Sequence, residues 1–454
     1  MLSKSDCDSL RKQLSNPDSL VLDPDHFEPY RHDATDETGE PAAIVFAESE
    51  EDVIASFSFC RDKEIPLIPR GAGTGLSGGC VPASGGLVLS TERMMKLDID
   101  TKCSRAFCGP GVITKQLQDA VAEHGLAYPP DPASFEESTL GGNVAEGAGG
   151  LRCKRFGVTK DYIIGLRAIT PDGSLLRTGL YGGGKGFALG DVLIASEGTL
   201  AVITEIAVRL IPASDVGTTL LVAFDHTQSA AQTVSDIIRT GLVPTVLEYI
   251  DGDAAACANE YEHSQELDNA AALLLIETND LEREIQTNTI RHLCESNQCS
   301  YLRIETNHNK ADSLWAVRRN ISKAMKAMAV LRMSEDVAVP ISRLPELVAF
   351  VRQMNTSSPL RINCYGHAGD GNLHINFMAT EDSASFRRTM EQEIEHLLHK
   401  AIELGGTLTG EHGIGLTKRK YLESEFNAAT LLSMKRIKDV FDPNQILNPG
   451  KIFP

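Results

Sequence analysis

Apolar positions recur along this chain with two periods, and the change from one to the other marks its organisation. Ile44-Val45-Phe46 reads as a short buried strand, and Ser49-Glu50-Glu51-Asp52 supplies the polar cap of a helix that ends near Lys63. Ile65-Pro66-Leu67-Ile68-Pro69 then leads into a glycine-rich segment, and from about 41 to 213 short strand-like runs alternate with glycine. Beyond 214 the glycine density falls. Ser229–Arg239 and Leu281–Asn297 carry helical spacing, and Ala271–Ile276 is a continuous apolar run of strand length. Ile394, Leu397, Leu398, Ala401 and Ile402 form one helical stripe that stops at Gly405-Gly406. Between them, Leu360–Tyr365 and Leu373–Met378 flank Gly369-Asp370-Gly371-Asn372 and predict a β-hairpin.

Length and charge narrow the classes available. A chain of 454 residues exceeds a single core and suggests roughly two or three domains. The 43 Lys and Arg against 62 Asp and Glu leave a net charge of −19, which repels phosphate backbones and anionic lipid. Nucleic acid is excluded as a partner, and the densest cationic cluster, Lys418-Arg419-Lys420, reads as a solvated face. Ten cysteines without any Cys-x-x-Cys supply neither a disulfide framework nor a zinc knuckle nor an iron–sulfur ligand set. Cys103 and Cys108, and Cys294 and Cys299, read as reduced thiols. The N-terminal residues lack a signal pattern, and no run approaches the ~18–20 apolar residues of a transmembrane segment. A cytoplasmic location is expected.

The predicted hairpin carries chemistry. If His367 pairs with His374 and Tyr365 with Asn376, alternation puts all four on one face, and the opposed imidazoles can reach one ion. With Glu411 of Gly410-Glu411-His412-Gly413 they form a His/His/Glu set that leaves coordination positions open, as a catalytic metal requires. Zinc, manganese and iron all suit such a set. The same donors would serve a non-haem iron oxygenase. That reading leaves three glycine segments unexplained: Arg70–Gly79, Ser138–Gly150 and Ala195–Thr204. Their backbone N–H groups can approach an extended anionic ligand, which suits a dinucleotide, but they match neither the Rossmann fingerprint nor a P-loop.

In order, Pro69-Arg70-Gly71-Ala72-Gly73-Thr74-Gly75-Leu76-Ser77-Gly78-Gly79, Thr139-Leu140-Gly141-Gly142-Asn143 and Ser196-Glu197-Gly198-Thr199-Leu200 resemble the FAD domain of the vanillyl-alcohol oxidase superfamily. Gly366–His374, Thr409–Gly415 and the closing Asn448-Pro449-Gly450-Lys451 resemble its FAD-linked D-2-hydroxy acid dehydrogenase branch, which includes D-lactate dehydrogenase and the catalytic chain of glycolate oxidase. The resemblance runs from about residue 40 to the end. It implies an α+β fold: a two-subdomain FAD-binding domain plus a substrate cap built on an antiparallel sheet. The boundaries expected are an N-terminal helical segment at 1–40, FAD domain at 41–213, cap at 214–405 and a return to the FAD domain at 406–454.

By the same resemblance, Arg70, Gly71, Ala72, Gly73, Thr74, Gly75, Ser77, Gly78 and Gly79 would cradle the FAD pyrophosphate. Asp131, Pro132, Gly141, Gly142, Asn143 and Gly149 would line the isoalloxazine and ribityl path. Glu197, Gly198 and Ile203 would lie near the adenosine or ring edge, with Asn448 closing the site. No histidine occurs in 70–79, so the flavin is expected to be noncovalent. Arg318 matches the family's arginine for the substrate carboxylate, and Ser322 lies one helical turn on. Ser334-Glu335 stands where hydroxyglutarate enzymes carry a lysine, which favours a small monocarboxylate such as D-lactate or glycolate over D-2-hydroxyglutarate. His412 is the expected base for the substrate hydroxyl and Asn376 the residue that orients it, with hydride passing to the flavin. The electron acceptor stays open between an iron–sulfur partner subunit, a quinone and an electron-transfer protein. So do a homodimer, peripheral membrane attachment through a partner, and a role as an accessory FAD-binding subunit.

Overall fold

The computed structural model describes residues 3–182, 187–214, 217–262 and 270–453. They divide into two compact units. One comprises 1–150, 157–213 and 411–454, and the other 151–156 and 214–410.

The first unit holds two main sheets. Ala43–Phe46, Leu87–Ser90 and Leu67–Arg70 run parallel, with Leu20–Val21 added antiparallel at one edge. Leu87–Ser90 is buried along its whole length, as expected of a parallel strand covered on both faces. The crossover helix Glu50–Lys63 starts at the cap foreseen: Ser49 accepts from Asp52 N–H, and Asp52 accepts from the backbone N–H of Ser49. Asp52 is itself fully buried and also accepts from Ser15 and Glu48, so one carboxylate ties three segments together. The second sheet is antiparallel, in the order Leu97–Asp100, Arg105–Cys108, Val202–Arg209, Ile163–Ile169, Leu175–Arg177.

The second unit is one seven-stranded antiparallel sheet. Its order is Cys299–Glu305, Thr219–Phe224, Ala272–Glu277, Val246–Asp251, Arg361–Gly366, Asn372–Ala379, Leu331–Ala338. Thr227–Arg239 and Arg283–Ser296 are helices close to the spans predicted, and the stripe around Ile394 belongs to a longer helix, Ala384–Glu403. On one sheet face, Ala223, Ile250, Leu273, Tyr365 and Met378 pack against the helices Gly252–Glu262 and His308–Met328 through Ala254, Ala258, Ile321 and Met325.

The hairpin forms, but its register differs from the one predicted. Tyr365 opposes His374 and Asn363 opposes Asn376, so His367 lies beyond the last strand pair. The connection is longer than the predicted tight turn. Ala368–Asp370 makes one 3-10 turn, closed by Gly371 in the left-handed region at φ 77°, and Asn372 N–H returns to His367 C=O. The slip is two residues, so alternation still leaves Tyr365, His367, His374 and Asn376 on one face. Lys418 also departs from expectation. It is 2% exposed rather than solvated, Arg419 donates to Gly450 C=O, and Lys420 stacks on Tyr421.

Candidate active site

Asn372–Ala379 is buried along its whole length, so its polar members are buried polar groups that need partners. His374 stacks against Tyr365 with ring centroids 5.5 Å apart and against His367 at the same separation. Across the next strand pair, the register that sets Tyr249 opposite Gly366 brings Glu248 opposite His367. His367 Nδ1–H donates to Glu248 Oε1 at 2.6 Å, and Arg318 Nε donates to Oε2 at 2.5 Å. Burial would raise the Glu248 carboxyl, but the His367 imidazole and the Arg318 guanidinium outweigh it and hold the pKa at about 2. A carboxylate on Nδ1 fixes the ring orientation and directs Nε2 to a metal, the usual support of a metal-ligating histidine.

The residue expected as third ligand, Glu411, is placed by chain continuity. Asp336 opposes His374 on the outer strand, fully buried, and accepts from Thr409 Oγ1 at 3.0 Å and from Gly410 N–H at 2.6 Å. Gly410 cannot carry a side chain there, because a Cβ would lie 2.3 Å from Asn372. Glu411 follows directly, and the ligand atoms of His367, His374 and Glu411 lie within 4.8 Å of one another. Among the described residues this is the single such set of three. His412 is the next residue and half-buried.

The residues expected to meet the substrate have protein partners of their own. Arg318, assigned to the substrate carboxylate, already faces the buried Glu248, and its guanidinium lies 4.7 Å over the Tyr365 ring. Ser322 meets Arg332, whose guanidinium also reaches the Asn376 amide oxygen. Sequence reasoning missed Glu248 and Arg332. The available signal was a single charge inside each of two strand-like runs, Val246-Leu247-Glu248-Tyr249-Ile250 and Leu331-Arg332-Met333.

In the first unit the three glycine segments come together. A Cβ on Gly71 would lie 2.3 Å from Thr139 Oγ1, and one on Gly79 2.8 Å from Glu146 Oε1, so side chains of the second segment pack directly on glycines of the first. Gly78 N–H donates to Asp33, and Gly142 N–H to Thr139 Oγ1. Asn448 Nδ2 donates to Gly79 C=O at 2.8 Å and to Glu197 C=O at 2.9 Å, joining the first and third segments, while its buried Oδ1 has no partner. Ala72, Gly73, Thr74 and Gly75 remain partly or fully exposed, whereas Ser77 is buried.

Several side chains expected around FAD have other work in the fold. Arg70 donates to the carbonyls of Pro29 and His32, tethering the N-terminal segment. Glu197 accepts from the backbone of Ile414 and Gly415, and Asn143 Nδ2 donates to Thr114 Oγ1. Gly141 packs on Pro110, Ile203 pairs with Ala168, and Gly198 adopts φ 64° against Pro69. Asp131 and Pro132 pack near Gly150, with Pro132 and Gly149 buried. Burial and the neighbouring Glu197 push the Glu146 carboxyl well above its ordinary range.

A glycine-lined unit of two sheets plus a unit built on one antiparallel sheet is the architecture of vanillyl-alcohol oxidase-type flavoproteins. p-Cresol methylhydroxylase has the same fold, with a TM-score of 0.82 at 15% identity over 99% of this chain and 97% of that one. Family models described as "FAD binding domain" and "FAD linked oxidases, C-terminal domain" match residues 41–179 and 214–452, and the chain belongs to the FAD-linked oxidases. It is 37% identical to glycolate oxidase subunit GlcD of Bacillus subtilis (strain 168), over 93% of this chain and 92% of the relative. It is 32% identical to a D-lactate dehydrogenase of Anaerostipes hadrus, over 96% and 95%. No helix among the described residues is long and apolar enough to cross a membrane.

Proposed function

We propose that this protein oxidises a small D-2-hydroxy acid, D-lactate or glycolate, to the 2-oxo acid, using noncovalent FAD and a divalent metal such as zinc or manganese. The observation that carries the reading is the convergence of His367, His374 and Glu411 on a chain of this family. Two imidazoles and a carboxylate, with Glu248 behind one imidazole, fit a divalent cation and leave room for substrate oxygens. The close-packed glycine segments and the unpartnered Asn448 Oδ1 fit an extended hydrogen-bonding ligand such as FAD. We assign FAD to 41–213 with 406–454, and substrate to 214–405.

When bound, FAD takes two electrons as hydride and the cation lowers the pKa of a coordinated hydroxyl. The chain's own groups do the rest. His412 receives the hydroxyl proton on an imidazole nitrogen, and Asn376 holds the substrate in orientation. All ten cysteines are free thiols, and none belongs to a ligand cluster among the described residues. Electrons then pass from the flavin to an external acceptor, an iron–sulfur partner subunit, a quinone or an electron-transfer protein; the glycolate oxidase relative's name carries the word "subunit".

The test is anaerobic addition of D-lactate, glycolate and D-2-hydroxyglutarate to the purified holoprotein, following the visible flavin band with and without EDTA pretreatment. Bleaching by D-lactate or glycolate that EDTA abolishes is expected. No bleaching by any of the three, with FAD and metal both present, would refute the proposal. In the same assay His412→Ala should retain flavin and metal while losing roughly 10²–10⁴ in turnover, and unchanged turnover would remove His412 as the base.

A further inference from the structure

We propose that Glu197 is a positioning residue for the reaction: its carboxylate holds the turn that carries Glu411 and His412, and so aims the third metal ligand and the base. This rests on the hydroxy acid reading above and assigns the residue that links the glycine segments to the metal site.

The first observation is that the turn has no regular structure to place it. Residues 411–418 form neither helix nor strand, so the bonds they receive set their position. Ile414 N–H donates to Glu197 Oε1 at 2.8 Å and Gly415 N–H to Oε2 at 2.6 Å, one donor on each carboxylate oxygen. Such charge-assisted bonds are short and strong. Gly413, at φ 93°, stands between His412 and Ile414, and a Cβ there would lie 3.0 Å from Glu197 Oε1. Glycine at that position is what lets the carboxylate come so close.

The second observation is strain at Glu197 itself. Its φ is 51° and that of Ala195 is 59°, a conformation that residues bearing a side chain rarely adopt. Backbone of this kind persists where the surroundings over-determine it, and it gathers at functional sites. Glu197 is 6% exposed, and all its polar groups are engaged. Its N–H donates to Ala145 C=O of the second glycine segment at 2.8 Å, its C=O accepts from Asn448 Nδ2 at 2.9 Å, and its carboxylate takes the turn. The main chain therefore belongs to the glycine segments and the side chain to the segment that bears the chemistry.

The third is leverage. Glu411 and His412 lie between two anchored amides. Gly410 N–H donates to the buried Asp336, and Ile414 N–H donates to the buried Glu197. Two carboxylates thus bracket two residues, and releasing one of them frees the pair at that end. A shift of about 1 Å at a reacting group costs on the order of 10²-fold in rate.

The experiment titrates EDTA-treated, flavin-loaded protein with zinc and with manganese by calorimetry, taking as the metal site the one that His374→Ala lacks. The informative variant is Glu197→Gln, whose amide accepts from one N–H and turns a donor toward the other. Metal affinity should fall roughly 10–100-fold, and kcat at saturating metal about 10²-fold, for whichever acid bleaches the flavin. FAD affinity should stay within about threefold of wild type. A merely structural role would lower stability and leave the metal affinity of the folded, flavin-loaded variant in place. Metal affinity within about threefold of wild type would overturn the assignment. Loss of FAD with the metal site intact would overturn it too, by making Glu197 a flavin residue. Should the glutamine variant not fold, Glu197→Asp keeps the charge on a shorter stem, and undiminished metal affinity there is equally decisive. Failure of the hydroxy acid reading looks different: the wild-type protein itself would show no metal site that His374→Ala removes.

Discussion

Replacing His374 by alanine is expected to remove the bound cation and turnover together while FAD stays in place. His374 is 7% exposed and is one of the three proposed ligands, and no other such set of three occurs among the described residues. An open His/His/Glu site reduced to two ligands no longer holds a divalent ion through dialysis. The Lewis-acid contribution is worth several kcal/mol of transition-state stabilisation, so the rate should fall by about 10³-fold or more. The loss of the imidazole also leaves Tyr365, 5.5 Å away, beside a void, which should cost a few degrees of thermal stability. Metal analysis by mass spectrometry and the flavin spectrum of the same sample check the outcome. A variant that keeps stoichiometric metal, or one that is metal-free and fully active, would remove His374 from the site.

Glu248→Gln should produce the second large effect, through a residue that contacts neither metal nor substrate. The buried carboxylate holds His367 Nδ1 and Arg318 Nε at once. Neutralising it removes the carboxylate charge that faces the Arg318 guanidinium, 11% exposed in its side chain. Breaking a buried pair from one side costs about 3–5 kcal/mol. Metal affinity should fall about 10–100-fold, because the imidazole loses the partner that fixes its tautomer. The pH dependence has a definite sign. The Glu248 pKa is depressed to about 2 from its ordinary 4.5, so its stabilisation is complete above pH 4.5 and is lost as pH falls toward 2. That shift corresponds to about 3 kcal/mol in the metal-free protein, and the glutamine variant should lack this slope. Denaturant titrations across the window, with metal affinity measured at neutral pH, test both parts. Glu248→Gln with wild-type metal affinity would reduce Glu248 to an ordinary buried ion-pair member.

The elements that could be read from residues in order are those whose causes are local. Ser49 and Asp52 cap Glu50–Lys63 through hydrogen bonds three residues apart, and the spacing of Ile394, Leu397, Leu398 and Ala401 is itself the buried stripe of Ala384–Glu403. The glycine segments were legible because a missing side chain is visible without knowing its neighbour. Their partners were not: only the folded chain shows that Arg70 donates to the carbonyls of Pro29 and His32. Lys418 looked solvated because two cations follow it, and its burial depends on packing that its neighbours in sequence do not reveal.

By itself, then, the sequence determined the family, the two kinds of unit, and the His, Asn and Glu residues to which the proposal gives the chemistry. Each is carried by residue type and short spacing. Tertiary structure alone decided which partners those residues have. Glu248 reaches His367 across 119 residues, and Arg332 reaches Asn376 across 44. Strand neighbours in an antiparallel sheet are chosen by the order and register of the whole sheet. No local period records that choice, which gives Arg318 a carboxylate partner and Arg332 an amide one.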